Sequence, residues 1–274
     1  MPKMRSRSPR KGVKAEEAAR RLYEAHERRE RFQPLPGALA PRTAEEAYAI
    51  QDAFVALRAQ KLGAIIGYKI ALSSAQMRRF VGVDTPQSGV LLESLVLRSP
   101  AKVRAMDYVR LIAEFEIAVQ IAEDLPAADA PFFRDRVTKA VGAVMPALEL
   151  ADDREADYAE LRKHPFELIA DNSWNEGAVL GIPVEGWKSI DLAAVRGVAS
   201  INGKTVGKGR GSDAMGHPFD AVAWVADHLA SLGRGLLRGD VVITGSLITS
   251  KYPKAGDLVK FSLEGLGEVE LRVD

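Results

Sequence analysis

Apolar residues recur at helical spacing near the start of the chain and at strand spacing over most of the rest. Lys14 to Arg31 is rich in Ala, Glu and Arg, and Ala18, Leu22 and Ala25 mark one narrow apolar face, which predicts a helix. Phe32 to Arg42 carries three prolines and reads as a connecting loop. Thr43-Ala44-Glu45-Glu46 is a capping box that opens a second helix to about Lys61, with Ala47, Ile50, Phe54 and Leu57 inward and Gly63 as its stop. Ala64 to Leu72 is then a strand with Lys69 in its middle. Ser73 or Ser74 caps a short helix that reaches Val81 and closes at Gly82.

Further strands are predicted at Leu91–Arg98, Ala113–Val119, Val144–Leu150, Ala178–Gly181 and Val241–Thr244. Asp124 to Ala130 is a loop, and Phe132 to Val141 reads as a helix. Asn202-Gly203 turns a hairpin between Ser200 and Val206. Pro218 begins a helix that buries Phe219, Val222, Val225, Ala226, Leu229 and Leu232 and stops at Gly233. The last two strands alternate cleanly, Val259, Phe261 and Leu263 in one and Val269, Leu271 and Val273 in the other. Short strands outnumber helices and are not regularly interleaved with them. The pattern is therefore α+β with a mostly antiparallel sheet, and not a doubly wound fold.

Composition narrows the function classes. The 274 residues, 47% hydrophobic with a net charge of +1, describe an ordinary soluble globular protein and give no reason to expect nucleic acid or a membrane surface as partner. The absence of cysteine excludes disulfides, thiolate zinc sites and cysteine nucleophiles, and fits a cytoplasmic location. No apolar run is long enough to span a bilayer. Residues 1–13 are basic, contain no acid and lack the apolar centre of a signal peptide, so they read as a disordered basic extension.

Three glutamates stand in otherwise apolar strands: Glu114 and Glu116 two apart, and Glu149 in Pro146-Ala147-Leu148-Glu149-Leu150. Residues two apart on a strand share a face. Buried carboxylates need a cation, hydrogen bonds or a raised pKa, and three that converge suit Mg or Mn. The same spacing equally fits the solvent face of an edge strand. Lys69, between Tyr68 and Ile70, is either an edge lysine or a desolvated one, whose lowered pKa would suit proton transfer or carboxylate binding. Asp171-Asn172 and Thr244-Gly245-Ser246 fall at strand ends, where binding groups and simple turns both occur. The four histidines show no ligand spacing, and His217 before Pro218 reads as a helix-start residue. Trp174, Trp187 and Trp224 read as core or interface. No Gly-x-Ser-x-Gly elbow supports a serine hydrolase. Gly207, Gly209 and Gly211 fit neither common nucleotide-binding pattern.

Several short motifs, taken in order, carry a resemblance: Ala47-Tyr48-Ala49-Ile50-Gln51, Gly67-Tyr68-Lys69-Ile70-Ala71-Leu72-Ser73-Ser74, Gly82-Val83-Asp84-Thr85-Pro86, Glu114-Phe115-Glu116, Pro146-Ala147-Leu148-Glu149, Asp171-Asn172, Gly216-His217-Pro218 and Thr244-Gly245-Ser246. Together they resemble the hydratase/decarboxylase branch of the fumarylacetoacetase superfamily, which includes 2-keto-4-pentenoate hydratase and 4-oxalocrotonate decarboxylase. The resemblance implies a rolled, mostly antiparallel or mixed β core over residues 63–274 and an N-terminal helical region over 14–62. It implies Mg or Mn on Glu114, Glu116 and Glu149, Lys69 as the catalytic group, and Ser74, Gln87, Asp171 and Ser246 as substrate contacts. It also implies a metal-dependent lyase acting on 2-oxo or 2-hydroxy-dienoic acids in aromatic catabolism, and a homo-oligomer that can associate with a pathway partner enzyme.

One position departs from the family pattern. Hydratases of this type usually have Pro-Asp-Phe-Gly where this chain has Pro86-Gln87-Ser88-Gly89, and glutamine cannot take up a proton as aspartate does. Decarboxylases of the branch tolerate a non-acidic residue there, so Gln87 favours 4-oxalocrotonate-type decarboxylation, or an unassigned substrate, as the alternative to hydration. Acylpyruvate C–C hydrolysis, which in related enzymes uses a His–Glu pair, and a non-catalytic partner subunit rank lower.

Overall fold

The structure, a computed structural model, describes residues 9–274. Helix α1 (Pro9–Glu27) buries Ala15, Ala18, Ala19 and Leu22 against Ala47, Ile50 and Phe54 of α2 (Ala44–Leu62). It begins inside the basic extension, so residues 9–13 are helical, and residues 1–8 lie outside the described residues. Thr43 caps α2 by accepting a hydrogen bond from Glu46 N, and Gly63 ends it at φ 84°, as the capping box and glycine required.

Strand β1 (Ile65–Ala71) leads to α3 (Ala75–Val81), whose N-cap is Ser74 and whose αL C-cap is Gly82. The apolar run expected as one strand over Leu91–Arg98 is two: β2 (Gln87–Leu92) and β3 (Val96–Arg98), separated by a turn of 3-10 helix at Glu93–Leu95. The remaining strands are β4 (Ala101–Val103), β5 (Leu111–Ile121), β6 (Val141–Asp152), β7 (Asn175–Leu180), β8 (Arg196–Ile201), β9 (Lys204–Arg210), β10 (Val241–Ile243), β11 (Ile248–Lys251), β12 (Leu258–Leu263) and β13 (Gly267–Val273). Helices α4 (Arg134–Ala140), α5 (Glu167–Ala170) and α6 (Pro218–Ser231) complete the chain, and His217 caps α6 through Phe219 N.

The strands form two sheets. The larger runs β2-β1-β10-β5-β6-β7-β3, with β11 also paired to β5, and the smaller runs β4-β13-β12-β8-β9. Most pairs are antiparallel, but β1–β10, β3–β7 and β4–β13 are parallel, so the architecture is mixed within an α+β fold. The sheets pack through alternating apolar residues, with Phe115 of β5 edge-on to Phe261 of β12 at 5.6 Å between centroids. Helix α6 adds Phe219, Val222, Val225 and Leu229 to the same core.

The free edge of β2 is closed by side chains instead of a strand. Tyr48 Oη accepts a hydrogen bond from Ser88 N, and Gln51 Nε2 donates to Ser88 O. Asn172 accepts from Val90 N at 2.8 Å and donates to Val90 O at 3.0 Å. Backbone groups that would otherwise be buried unpaired are thus satisfied, and the N-terminal helices are fastened to the sheet that carries the site.

Candidate metal centre and active site

Strand β5 is central, flanked by β6 on one side and by β10 and β11 on the other. This excludes the edge-strand reading of Glu114 and Glu116. Phe115, Ile117 and Val119 face the inter-sheet core, and the glutamates take the opposite, concave face. Glu149 is the direct register partner of Glu114 across the β5–β6 ladder. One oxygen of each of the three carboxylates lies within 4.8 Å of the others, with Glu116 and Glu149 fully buried and Glu114 partly so.

Lys69 reaches this group from β1, although β10 and β5 lie between β1 and β6 in the sheet. A flat sheet would hold β1 and β6 about 14 Å apart, three strand spacings. The Lys69 ammonium nevertheless lies 2.9 Å from Glu149 Oε1, because the sheet rolls and its concave face converges. The roll leaves little space at Gly89, where a Cβ would stand 2.8 Å from Asn172 O and 3.0 Å from Lys69 Cγ.

Each glutamate is held by neutral donors or by Lys69. Ser250 Oγ donates to Glu114 Oε1 at 2.6 Å, and Gly245 N donates to Glu116 Oε2 at 2.7 Å. Asn175 Nδ2 donates to Glu149 Oε1 at 3.0 Å. Glu116 Oε1 and Glu149 Oε2 are buried with no hydrogen-bond partner. Burial first, then the charges of Glu149 and Glu114, hold the Glu116 carboxyl well above the usual range, against the opposing pull of Lys69 and Gly245 N–H. Burial also lifts Glu149, although Lys69 opposes it.

Lys69, only 3% exposed, does not have the lowered pKa expected of a desolvated lysine. Burial pulls its pKa down, but Glu149, Glu114 and Glu116 outweigh that and keep it above the ordinary value. Oxygen-only donors, an excess of negative charge and two unpartnered buried oxygens fit a hard divalent cation.

Above the carboxylates opens a cavity of about 650 Å³. Its wall includes Lys69, Glu114, Ser74 and Ser246. Ser74 also caps α3 through Met77 N, and Ser246 accepts from Phe115 N and donates to Ile248 O. Gln87 and Asp171, expected as substrate contacts, are not among the residues on this wall. Gln87 is buried and donates to Pro165 O at 3.3 Å. Asp171 has both oxygens engaged, one by Arg154 and one by His26 Nε2 at 2.6 Å. It belongs to a buried charge network in which His26 Nδ1 also meets Glu176 and Arg58 binds Glu176.

Sequence reasoning missed the donors Gly245, Asn175 and Ser250. Only Gly245 carried a signal, through its strand-end Thr-Gly-Ser motif. It also missed that Trp174, while packed edge-on against Phe32 and Tyr158, lines the cavity. Asn172, Ser173 and Trp174 all have left-handed φ of 50°, 50° and 58°. Such strain in non-glycine residues collects beside functional sites.

Residues 64–274 match the family described as fumarylacetoacetate (FAA) hydrolase, C-terminal. The chain belongs to this family, in its hydratase/decarboxylase branch. It is 33% identical over 254 residues to a 2-keto-4-pentenoate hydratase of Paraburkholderia phymatum, covering 93% of this chain and 95% of that one. It is 32% identical over 259 residues to a 2-hydroxyhexa-2,4-dienoate hydratase of Comamonas testosteroni, covering 94% and 96%. Its fold matches 4-oxalocrotonate decarboxylase from Pseudomonas putida G7, complexed with magnesium and adipate, at a TM-score of 0.88 and 24% identity, over 99% of this chain and 100% of that chain.

Proposed function

We propose that this protein is a lyase, dependent on Mg or Mn, that hydrates 2-hydroxy-2,4-dienoic acids through their 2-oxo tautomers. The observation that carries this reading is the meeting of Glu114, Glu116, Glu149 and Lys69 on the concave face of one rolled sheet, with the cavity above them. Glu114, Glu116 and Glu149 would hold the cation, which when bound supplies Lewis-acid polarisation of the 2-oxygen of a 2-oxo acid. Lys69 holds a proton at Nζ beside that position and orients the substrate carboxylate or moves a proton along the conjugated chain. The Ser74 and Ser246 hydroxyls on the wall offer hydrogen bonds to substrate. Gln87 and Asp171 act from behind the wall, Gln87 by holding the Pro165 carbonyl and Asp171 by fixing Arg154 and His26.

Decarboxylation of a 4-oxalocrotonate-type acid is the second reading, and Gln87 favours it because an amide cannot activate water by accepting its proton. Acylpyruvate hydrolysis ranks lower: among the described residues no histidine lines the cavity. We also infer a cytoplasmic homo-oligomer, able to associate with a partner enzyme of its pathway. Among the described residues no helix is long and apolar enough to cross a membrane.

The deciding experiment is turnover of 2-hydroxypentadienoate and 4-oxalocrotonate side by side with Mg or Mn. Loss of the dienol absorbance without carbon dioxide release is expected. Carbon dioxide from 4-oxalocrotonate alone would select the second reading. Mg-dependent binding of a 2-oxo acid with no turnover of either compound would indicate a non-catalytic subunit.

A further inference from the structure

The cavity sets Lys69 and Glu114 against a wall that is otherwise mostly neutral. The charge of Lys69 is already answered by Glu149. The cavity's apolar and aromatic wall includes Ile112, Leu161, Leu168, Trp174, Tyr158 and Tyr252. Among the described residues no second lysine or arginine lines it, and the other charged group there, Asp213, is anionic.

Arg110 and Arg78 lie behind the wall and not on it. Arg110 stacks on Tyr158 and Tyr252 and is bound to the buried Asp153. The Arg78 Nη1 is directed to the Leu72 and Ser73 carbonyls. Lys251 is not among the residues that line the cavity. Two polar groups of wall residues, Ser173 Oγ and the Trp174 indole N–H, are neutral.

We propose that the substrate is a monocarboxylic dienoate whose tail is uncharged and bulky, an alkyl or aryl group, and that a dicarboxylate of the same length is rejected. This rests on the lyase reading above and narrows its substrate class. A cavity of about 650 Å³ has room for such a tail, being within the roughly 300–1,000 Å³ typical of small-molecule sites. A carboxylate at the tail would lose its water against apolar and aromatic walls with no cation to receive it. An apolar tail gains from the same burial. The aromatic faces of Trp174 and Tyr158, already set edge to face, would flank an aryl ring.

Two measurements test this. The first is calorimetric binding, with Mg present, of unreactive saturated acids that share the head group: 2-oxohexanoate and 4-phenyl-2-oxobutanoate against 2-oxoadipate. The uncharged pair should bind on the order of 100-fold more tightly than the diacid. The second is kcat/KM for dienoates ending in methyl or phenyl against one ending in carboxylate, with a gap of the same order. Met77, 40% exposed on the cavity wall, supplies a converse variant: Met77→Arg should raise the ratio of kcat/KM for the diacid over that for the methyl-terminated substrate about tenfold.

Equal or tighter binding of 2-oxoadipate would overturn the inference while leaving the lyase reading in place. Failure of all these acids to bind with Mg, together with no turnover of any dienoate, would overturn both.

Discussion

Replacing Glu116 with glutamine should stabilise the metal-free protein and remove its response to magnesium. Two carboxylates at 4.8 Å repel by about 3.5 kcal/mol at an effective dielectric constant near 20. Behind burial itself, Glu149 and then Glu114 both push the Glu116 carboxyl up, and Lys69, 2.9 Å from Glu149, offsets part of that repulsion. Glutamine keeps the side-chain length, can still accept from Gly245 N, and turns its amide toward Glu149 Oε2, which has no partner. Weakening a charge-assisted hydrogen bond costs roughly 1 kcal/mol of that gain.

The net should be about 1–3 kcal/mol, or roughly 3–8 °C in Tm for a chain of this size. Thermal melts at pH 8 in EDTA and in excess magnesium read both effects. Wild type should gain about 2.7 kcal/mol when magnesium stands a hundredfold above its Kd, and the variant almost nothing. The advantage of the variant in EDTA should shrink as pH falls, because Glu116, held above the usual carboxylate range, takes up its proton first. A variant that melts below wild type in EDTA at pH 8, or that still rises with magnesium as wild type does, would refute the reasoning.

Lys69→Met should lower turnover by about 10²–10⁴-fold while keeping the magnesium-induced rise in Tm, and unchanged turnover would remove Lys69 from the chemistry. His26→Ala should cost about 3 kcal/mol in urea unfolding, the lower end of the range for a broken buried pair, because Asp171 and Glu176 keep Arg154 and Arg58. The pH dependence of that network has a definite sign. Burial lowers the His26 pKa, but Asp171 and Glu176 outweigh it and raise it, so its contribution is full below 6.5 and fades as pH climbs through the raised value. Glu176, pulled down to about 2 against its burial by Arg58 and His26, contributes above 4.5 and fades as pH falls toward 2. The difference between wild type and His26→Ala should therefore be largest between pH 4.5 and 6.5, and a difference that grows above neutrality would contradict the assignment. Phe115→Ala, at a fully buried ring packed on Phe261, should cost about 3–5 kcal/mol by the same urea assay.

Local signals survived translation into structure where their chemistry is complete within a few residues. Thr43 with Glu46, Ser74 with Gly82, Asn202-Gly203 and His217-Pro218 each satisfy backbone groups next door, and each lies where its motif placed it. The apolar run from Leu91 to Arg98 carried no comparable mark. It breaks at Glu93 because its halves join opposite ends of the larger sheet, β2 beside β1 and β3 beside β7. Gln87 to Gly89 lies ahead of the strand expected from Leu91 and is strand too, and the partners of its open edge are the side chains of Tyr48, Gln51 and Asn172. Gly209 marks a close approach to Leu247 O, 2.2 Å from where a Cβ would stand, and not a phosphate loop. The glutamate spacing gave a shared face, but which face was decided only by the strands on both sides of β5.

That placement explains how three carboxylates can share one buried corner. If every oxygen of Glu116 and Glu149 were bonded, the pair would be satisfied without a cation and would have no affinity to offer one. If none were bonded, the side chains would lack a fixed rotamer and the site would have no geometry. The fold takes the middle course. Gly245 N–H fixes one oxygen of Glu116, while Lys69 and Asn175 share one oxygen of Glu149, and in each case the second oxygen stays buried and unpartnered. The three donors come from the β10–β11 connection, β1 and β7, elements brought together only by the roll of the sheet. The chemistry was therefore visible in the residue types of two strands, whereas its arming depends on neighbours up to 129 residues away.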